Sequence, residues 1–146
     1  MTRLPRDLYT AAEVRLLDKI AIEQFGIPSF TLMQTAASIA FNKLIEKWPQ
    51  TRHVQVFVGS GNNAGDGYLL ASLAKEQGLS TEVITLWDPE KLQGDARLAA
   101  EWADKQQVLI TPFSYFDVEH EKDHAHPVIV DALLGIGLDR EVTGDY

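Results

Sequence analysis

The sequence predicts an α/β domain with a mostly parallel sheet that is covered by helices on both faces. Short runs rich in Val, Ile and aromatic residues alternate with longer segments whose apolar residues recur at helical spacing. Alternation of this kind is typical of βαβ units, whose strands are parallel. The chain of 146 residues with 45% hydrophobic residues is also the size of one globular domain that buries its own core.

Two helices are predicted ahead of the sheet. In residues 9–26 apolar side chains recur at helical spacing, and Thr10 and Glu13 stand in the register of a capping box. A second helix is predicted to begin at Ser29 and to be stopped by Pro49. Both helices carry broad apolar surfaces, so we expect them to pack on a larger element.

Four strands and two crossover helices are predicted after these helices. The strands are "HVQVFV", "STEVITLW", "VLIT" and "PVIVDALLG", and the crossover helices are "YLLASLAKEQG" and "DARLAAEWADKQQ". The polar segment 111–127 is predicted to be an exposed loop. It contains His120, His124 and His126, which we interpret as surface residues rather than as a metal site.

The segment "GSGNNAGDG", residues 59–67, connects the first strand to its crossover helix. In an open parallel sheet, ligands bind beyond the carboxyl ends of the strands, where this segment lies. Its glycines are predicted to permit positive φ and close approach of backbone N–H groups to a ligand, and the helix that follows favours phosphate. These glycines are Gly59, Gly61, Gly65 and Gly67. The side chains of Asn62, Asn63 and Asp66 are able to hydrogen-bond a ligand or to offer oxygen to a cation.

A tight turn without a ligand is the alternative interpretation of this segment. The segment also differs from the dinucleotide fingerprint G-x-G-x-x-G and from the P-loop, which ends in Gly-Lys-Ser/Thr. An ordinary dinucleotide dehydrogenase and a P-loop ATPase are therefore disfavoured.

A second candidate site begins at Asp131, which closes an otherwise apolar strand. A carboxylate there is costly unless it lies at the strand tip and is paired with a hydrogen bond or a cation. Gly135 and Gly137 then form another flexible loop, which we expect at the same sheet edge as residues 59–67. A helix cap or turn is the alternative for a single Asp, but its combination with the first glycine segment favours a site.

Composition and charge indicate which kinds of binding partner are not expected. The net charge is −8 and Lys and Arg are not clustered, so nucleic-acid binding is not expected. The sequence has no Cys, no apolar run near the ~20 residues that span a bilayer, and no signal peptide. We therefore expect a cytoplasmic protein that does not bind membranes.

These segments resemble the YjeF N-terminal domain family, the NAD(P)H-hydrate epimerases. "GSGNNAGDGYLLASLAKEQG" and "VDALLGIGL" are similar to the usual family forms G-x-G-N-N-G-G-D-G and D-A-L-L-G-T-G, and "GIPSFTLMQTAA" resembles the segment before the first strand. The resemblance covers essentially the whole chain. It implies one domain over residues 1–146, with a helical segment 10–47 and a nucleotide-binding part 53–146. The implied fold is a Rossmann-like three-layer α/β/α sandwich, here truncated before its last strands.

The resemblance implies epimerisation of the R and S forms of hydrated NADH and NADPH (NADHX and NADPHX) in nicotinamide nucleotide repair. It also implies bound K⁺, with Asn63 and Asp131 as ligands, and a homodimer, which we expect to form through residues 10–47. The implied substrate-binding residues are Asn62, Asn63, Ala64, Gly65, Asp66, Gly135, Ile136, Gly137, Leu138, Asp139, Arg140 and Glu141. A non-catalytic YjeF-type module for nucleotide binding or scaffolding is the alternative.

The sequence departs from the family pattern in three places. Ala64 replaces a Gly, which is tolerated if its φ is negative, and Ile136 replaces a common Thr and removes a hydroxyl. In the family a later Asp-x-Pro-Ser-Gly segment brings the catalytic Asp and another K⁺ ligand. That segment would follow Tyr146, so the catalytic residue is not assigned and we expect the chain alone to be inactive.

Overall fold

The computed structural model describes residues 8–116 and 127–136, which contain four α-helices and four strands. The α-helices are α1 (Ala11–Glu23), α2 (Ser29–Lys47), α3 (Asn62–Glu76) and α4 (Gly94–Lys105). The strands are β1 (His53–Val58), β2 (Ser80–Thr85), β3 (Leu109–Pro112) and β4 (Val128–Ala132). Short 3₁₀ helices occupy Pro89–Lys91 and Phe113–Tyr115. The predicted helices and strands, their order and the α/β class are therefore confirmed. Helix α3 begins at Asn62 rather than at Tyr68, and the predicted loop 111–127 instead starts with the end of β3 and a 3₁₀ helix; its residues 117–126 lie outside the described residues.

The four strands form one parallel sheet in the order β3-β2-β1-β4. Strand β1 lies between β2 and β4, and its Val56 is opposite both Val83 and Val130. The chain moves from β1 outward through β2 to β3 and then returns to the other side of β1 as β4. This reversal makes a topological switch point between β1 and β4, and ligands of open α/β sheets bind beyond the strands at such a point.

The core lies between one face of the sheet and a layer of helices. Side chains alternate along β1, so that Val54, Val56 and Val58 are fully buried in the core that includes α3. Helices α2 and α4 pack against α3, so α3 and α4 lie on the same face of the sheet, as expected for two successive crossovers of the same hand. On the opposite face Phe57 contacts Phe116 edge to face, with 5.6 Å between the ring centroids.

Small side chains explain how closely these helices approach each other. Helix α4 turns a row of alanines toward the core, and α3 presents glycines and alanines to its neighbours. Because such side chains occupy little volume, both helix backbones lie near the sheet and near each other. The buried alanines of α4 are Ala96, Ala99, Ala100 and Ala103.

Helix α1 begins as its sequence predicts but packs loosely. The Thr10 hydroxyl accepts from the Glu13 backbone N–H at 3.3 Å, and the Glu13 carboxylate accepts from the Thr10 N–H at 2.7 Å. The Glu13 carboxylate accepts from both the N–H and the hydroxyl of Thr10, and these two hydrogen bonds hold the pKa of Glu13 below its usual value. None of the residues of α1 is buried, and Leu16 and Leu17 are exposed. Within the described residues, no helix is long and apolar enough to cross a membrane.

Candidate functional site

Residues 59–66, which we call the first site segment, are mainly the start of a helix. Helix α3 begins at Asn62, and Gly61 is its N-cap. The expectation of positive φ is wrong, because positive φ among the described glycines occurs at Gly26, Gly78 and Gly94. The chain passes from β1 into α3 in a tight connection that uses only ordinary backbone conformations.

Close packing is the reason for most glycines in this part of the chain. A Cβ atom at Gly59 would overlap the Leu133 carbonyl oxygen. One at Gly67 would lie 2.8 Å from Ala132 Cβ, and one at Gly65 would lie 2.6 Å from Met33 Sδ. Real Cβ atoms do not make such short contacts, so Gly59 and Gly67 require glycine for space. At Gly65 the nearest atoms belong to the flexible Met33 side chain, and the closest backbone atom is Ala96 Cα at 3.1 Å, so this position is tight but less strictly limited. Gly61 differs, because a Cβ there would meet no atom within 4 Å.

The start of α3 offers backbone donors to a ligand. Gly61 supplies no side-chain cap, so the first N–H groups of the helix depend on other acceptors. The Ala64 N–H already donates to the Gly61 carbonyl at 3.0 Å, and the Ala64 side chain is fully buried. Its φ is not positive, so replacement of the usual glycine is tolerated. Asn62 is exposed and Asn63 is partly exposed, so their side chains reach the solvent side of the turn.

Residues 131–136, the second site segment, follow β4 at the neighbouring sheet position. Asp131 is opposite Phe57 and its side chain is exposed. Its Oδ1 accepts from the Leu133 backbone N–H at 3.0 Å. Asp131 therefore lies near the strand tip and forms a turn, so the alternative turn interpretation is compatible with a site.

The two site segments contact each other directly. The Asn63 side chain donates from Nδ2 to the Leu134 carbonyl at 3.0 Å, and the Gly59 N–H lies 3.4 Å from the Ala132 carbonyl oxygen. A Cβ at Gly135 would lie 3.1 Å from Asn63 Cβ. The structure thus brings Asn63, Gly135 and the start of α3 together at the switch point. The predicted residues Gly137, Leu138, Asp139, Arg140 and Glu141 lie outside the described residues.

Among the described residues, Asp66 is the titratable group with the largest shift in pKa. Burial raises the pKa of its carboxyl to about 6, and the nearby negative charge of Asp18 raises it further in the same direction. Asp66 therefore keeps a proton at pH values where an exposed carboxyl has lost it. A group with this property is able to give or take a proton near neutral pH.

Two residues of α1 were not predicted as site residues. Arg15 donates from Nη1 to the Ile136 carbonyl at 2.9 Å, and Asp18 acts on Asp66. The sequence indicates only that these two charged residues, three positions apart, share one face of a helix, and this does not identify them as site residues.

The K⁺ ligands predicted for this site contain only oxygen donors. Within residues 8–116 and 127–136, His, Asp and Glu side chains form no group of three or more that could hold a metal ion. His120, His124 and His126 lie outside the described residues. Asn63 and Asp131 stand on adjacent segments, and amide and carboxylate oxygens are the donors that hard cations prefer.

A family model described as YjeF-related protein N-terminus matches residues 29–146. The chain belongs to this family. The matched range contains both site segments, and the helix α1 lies ahead of it.

Two relatives of known name cover most of the chain. One is a bifunctional NAD(P)H-hydrate repair enzyme Nnr from Coxiella burnetii, 39% identical over 142 residues, which are 95% of this chain and 27% of that protein. Another is an NAD(P)H-hydrate epimerase from Limosilactobacillus fermentum, 32% identical over 137 residues, which are 94% of this chain and 63% of that protein. The chain therefore spans less than two thirds of the length of either relative.

A solved structure confirms the Rossmann-like fold. The crystal structure of the yeast protein ynu0, YNL200c, matches with a TM-score of 0.82 at 21% sequence identity. The match covers 95% of this chain and 61% of the yeast chain. At this level of identity the similarity establishes the fold alone.

Proposed function

We propose that this chain binds the substrate of an NAD(P)H-hydrate epimerase, an isomerase that interconverts the R and S forms of NADHX and NADPHX. The observation that carries the proposal is the hydrogen bond from Asn63 to the Leu134 carbonyl, because it joins the two predicted ligand segments at the switch point. The names of the relatives from Coxiella burnetii and Limosilactobacillus fermentum support the same reaction.

The start of α3 is suited to the phosphate groups of such a nucleotide. Its first N–H groups lack a side-chain cap, and the helix dipole adds a partial positive charge. In a chain with a net charge of −8, attraction of an anion has to be local. Residues 62–66 and 135–141 would surround the substrate, with Asn62 and Asn63 offering side-chain hydrogen bonds.

The reaction requires placement and proton transfer rather than redox chemistry. The substrate carries a hydroxyl on a ring carbon that is bonded to the ring nitrogen. The nitrogen lone pair expels the protonated hydroxyl as water, which leaves a planar cation, and water adds again from either face with loss of a proton. Both steps are helped by a group that exchanges a proton near neutral pH. Asp66, whose pKa is raised to about 6, has this property.

Asn63 and Asp131 would hold K⁺ in this proposal. The Asn63 NH₂ group is directed to the Leu134 carbonyl, so the amide oxygen is directed away from that carbonyl. Together with the exposed Asp131 carboxylate it would offer oxygen donors of the kind that hard cations prefer. When bound, the cation would offset negative charge between Asp131 and a substrate phosphate.

The proposal is tested with the full-length protein that contains this chain. A mixture of NADHX or NADPHX enriched in one epimer is incubated with the protein, and the two epimers are separated by chromatography. Approach to the equilibrium ratio, faster than without protein, is expected. Binding of the hydrates without interconversion would instead indicate a non-catalytic nucleotide-binding module.

Cation selectivity gives a second test. Purified protein dialysed against KCl and trace ZnCl₂ is expected to retain no stoichiometric zinc, because Cys is absent and the site segments contain no His. Loss of epimerisation on exchange of K⁺ for a bulky organic cation, and recovery on return to K⁺, would support K⁺ at the site. Stoichiometric zinc that is lost in an Asp131→Ala variant would contradict it.

Self-association through residues 10–47 is proposed for the exposed apolar side chains of α1 and α2. Leu16, Leu17 and Ile39 are exposed, with 56%, 48% and 59% of their surface accessible. Exposed apolar patches of this kind are typical of interfaces. Light scattering is expected to show a dimer that Leu17→Glu dissociates, and a strict monomer at high concentration would contradict this.

A further inference from the structure

Helix α1 contacts the site although it lies ahead of the range that the family model matches. Its residues are not buried, so apolar packing fixes its position only weakly. Yet the face that carries Arg15 and Asp18 contacts one site segment and lies close enough to the other to act on its charge.

The second site segment needs such contacts to keep one position. Leu134, Gly135 and Ile136 are exposed, so the core does not hold this part of the chain. The Asn63 side chain donates to the Leu134 carbonyl, and Arg15 donates to the Ile136 carbonyl. The donors come from α3 and α1, so the segment is held at two points by two different helices.

Asp18 of α1 lies near Asp66 of the first site segment. It follows Arg15 by three positions, so both side chains lie on one face of α1. The charge of Asp18 contributes to the raised pKa of Asp66, which places the two carboxyl groups near each other. The same helix face therefore lies beside both site segments.

We propose that Arg15 is a positioning residue that fixes the second site segment for substrate binding, with α1 as a third wall of the site. The consequence for substrate rests on the proposed epimerase function. The positioning of the second site segment does not depend on that function, because the Arg15 hydrogen bond restrains residues 134–136 whether or not a substrate is bound.

Amide hydrogen exchange in the full-length protein tests the structural part. Arg15→Ala is compared with Lys19→Ala, a matched control one turn later on α1, where Lys19 forms an exposed ion pair with Glu23. Exchange in a peptide that covers residues 134–136 is expected to be faster in Arg15→Ala, because the segment opens more often once the Ile136 carbonyl loses its donor. Loss of one hydrogen bond shifts this opening equilibrium by a factor of about five to ten. Exchange should be unchanged in Lys19→Ala. Unchanged exchange in Arg15→Ala would overturn the proposal.

Kinetics test the functional part. Arg15→Ala is expected to raise KM for NADPHX by about five- to tenfold with kcat changed less than about twofold, because the segment would bind substrate less well in both ground and transition states. Arg15→Lys keeps one donor and is expected to recover part of the KM and of the exchange protection. A loss of kcat with unchanged KM would overturn the role in substrate binding. Absence of epimerisation in the unmodified protein, together with faster exchange in Arg15→Ala, would overturn the proposed function and leave the positioning role supported.

Discussion

The two site segments occupy equivalent places after neighbouring parallel strands, but they are held differently. The first is built into the core, where Ala64 is fully buried and the Leu133 carbonyl leaves no room for a side chain at Gly59. The second is exposed over Leu134 to Ile136 and is held by hydrogen bonds from Asn63 and Arg15. Core packing therefore holds the first segment, whereas hydrogen bonds to side chains of other elements hold the second. Substitutions in the first segment should therefore change stability, and substitutions in the second should change ligand binding.

The largest effect is expected for Asp131→Ala, which should reduce epimerisation by about 30-fold or more and leave the fold intact. Loss of a charged partner in a partly desolvated site costs about 2–5 kcal/mol, whereas the exposed Asp131 side chain contributes little to packing. Chromatographic assay of the full-length protein and a thermal melt measure the two quantities. Ile129→Ala, at another exposed position of β4, is the control and should keep its activity. Unchanged turnover in Asp131→Ala would remove Asp131 from the site.

A smaller effect, on stability, is expected for Gly59→Ala. The added methyl would overlap the Leu133 carbonyl, and such overpacking costs about 1–3 kcal/mol. Gly61→Ala is the matched control, because a Cβ there meets open space and Gly61 has a negative φ of −106°. We expect it to change the free energy of unfolding by less than about 1 kcal/mol. Urea denaturation measures both variants. If Gly59→Ala and Gly61→Ala lowered the free energy of unfolding equally, the close contact of Gly59 with Leu133 would not be the reason for glycine at this position.

Asp66→Asn is expected to stabilise the protein at pH 7 by about 1–2 kcal/mol. The folded pKa of Asp66 is about 6 and its ordinary value is 3.8, so ionisation opposes folding above the ordinary pKa and does so fully above pH 6. The difference between variant and unmodified protein should therefore shrink as the pH falls from 7 to 4. Denaturant titrations at both pH values measure it. A gain that stays constant with pH would mean that Asp66 is not the group responsible.

The smallest effect is expected for Ile136→Thr. The Ile136 side chain is exposed, so the melting temperature should stay within about 1 °C, in keeping with the small effects of surface substitutions. The hydroxyl that is common at this position in the family would add one hydrogen bond to a ligand, which lowers KM for the hydrate by up to about tenfold. A changed melting temperature with unchanged KM would mean that Ile136 contributes to stability rather than to ligand binding, contrary to the difference between the two segments.

Local patterns predicted the elements of the fold, and long-range contacts explain what they did not predict. Thr10 with Glu13 marks the start of α1 by chemistry within four residues, and a short run of β-branched and aromatic residues marks β1 in the same local way. The need for glycine at Gly59 arises from Leu133, which is distant in sequence, so the sequence suggested positive φ instead of close packing. The contact of Arg15 with the second site segment could not be predicted for a similar reason. Its acceptor is the backbone carbonyl of Ile136, and because every residue has such a carbonyl, the sequence carries no signal for this pair.

The register of β1 also sets the order in which the crevice is completed. Val54 pairs with Thr81 through the short β1-α3-β2 unit, whereas its other neighbour, Val128, comes from much later in the chain. Local contacts close with less loss of chain entropy than distant ones, so the start of α3 is able to form while β4 is still unpaired. During synthesis the amino-terminal part leaves the ribosome first, and the crevice exists only after β4 has docked beside β1. Under the proposed function, a nucleotide would be recognised only after β4 has paired with β1, so binding would report that this pairing is complete.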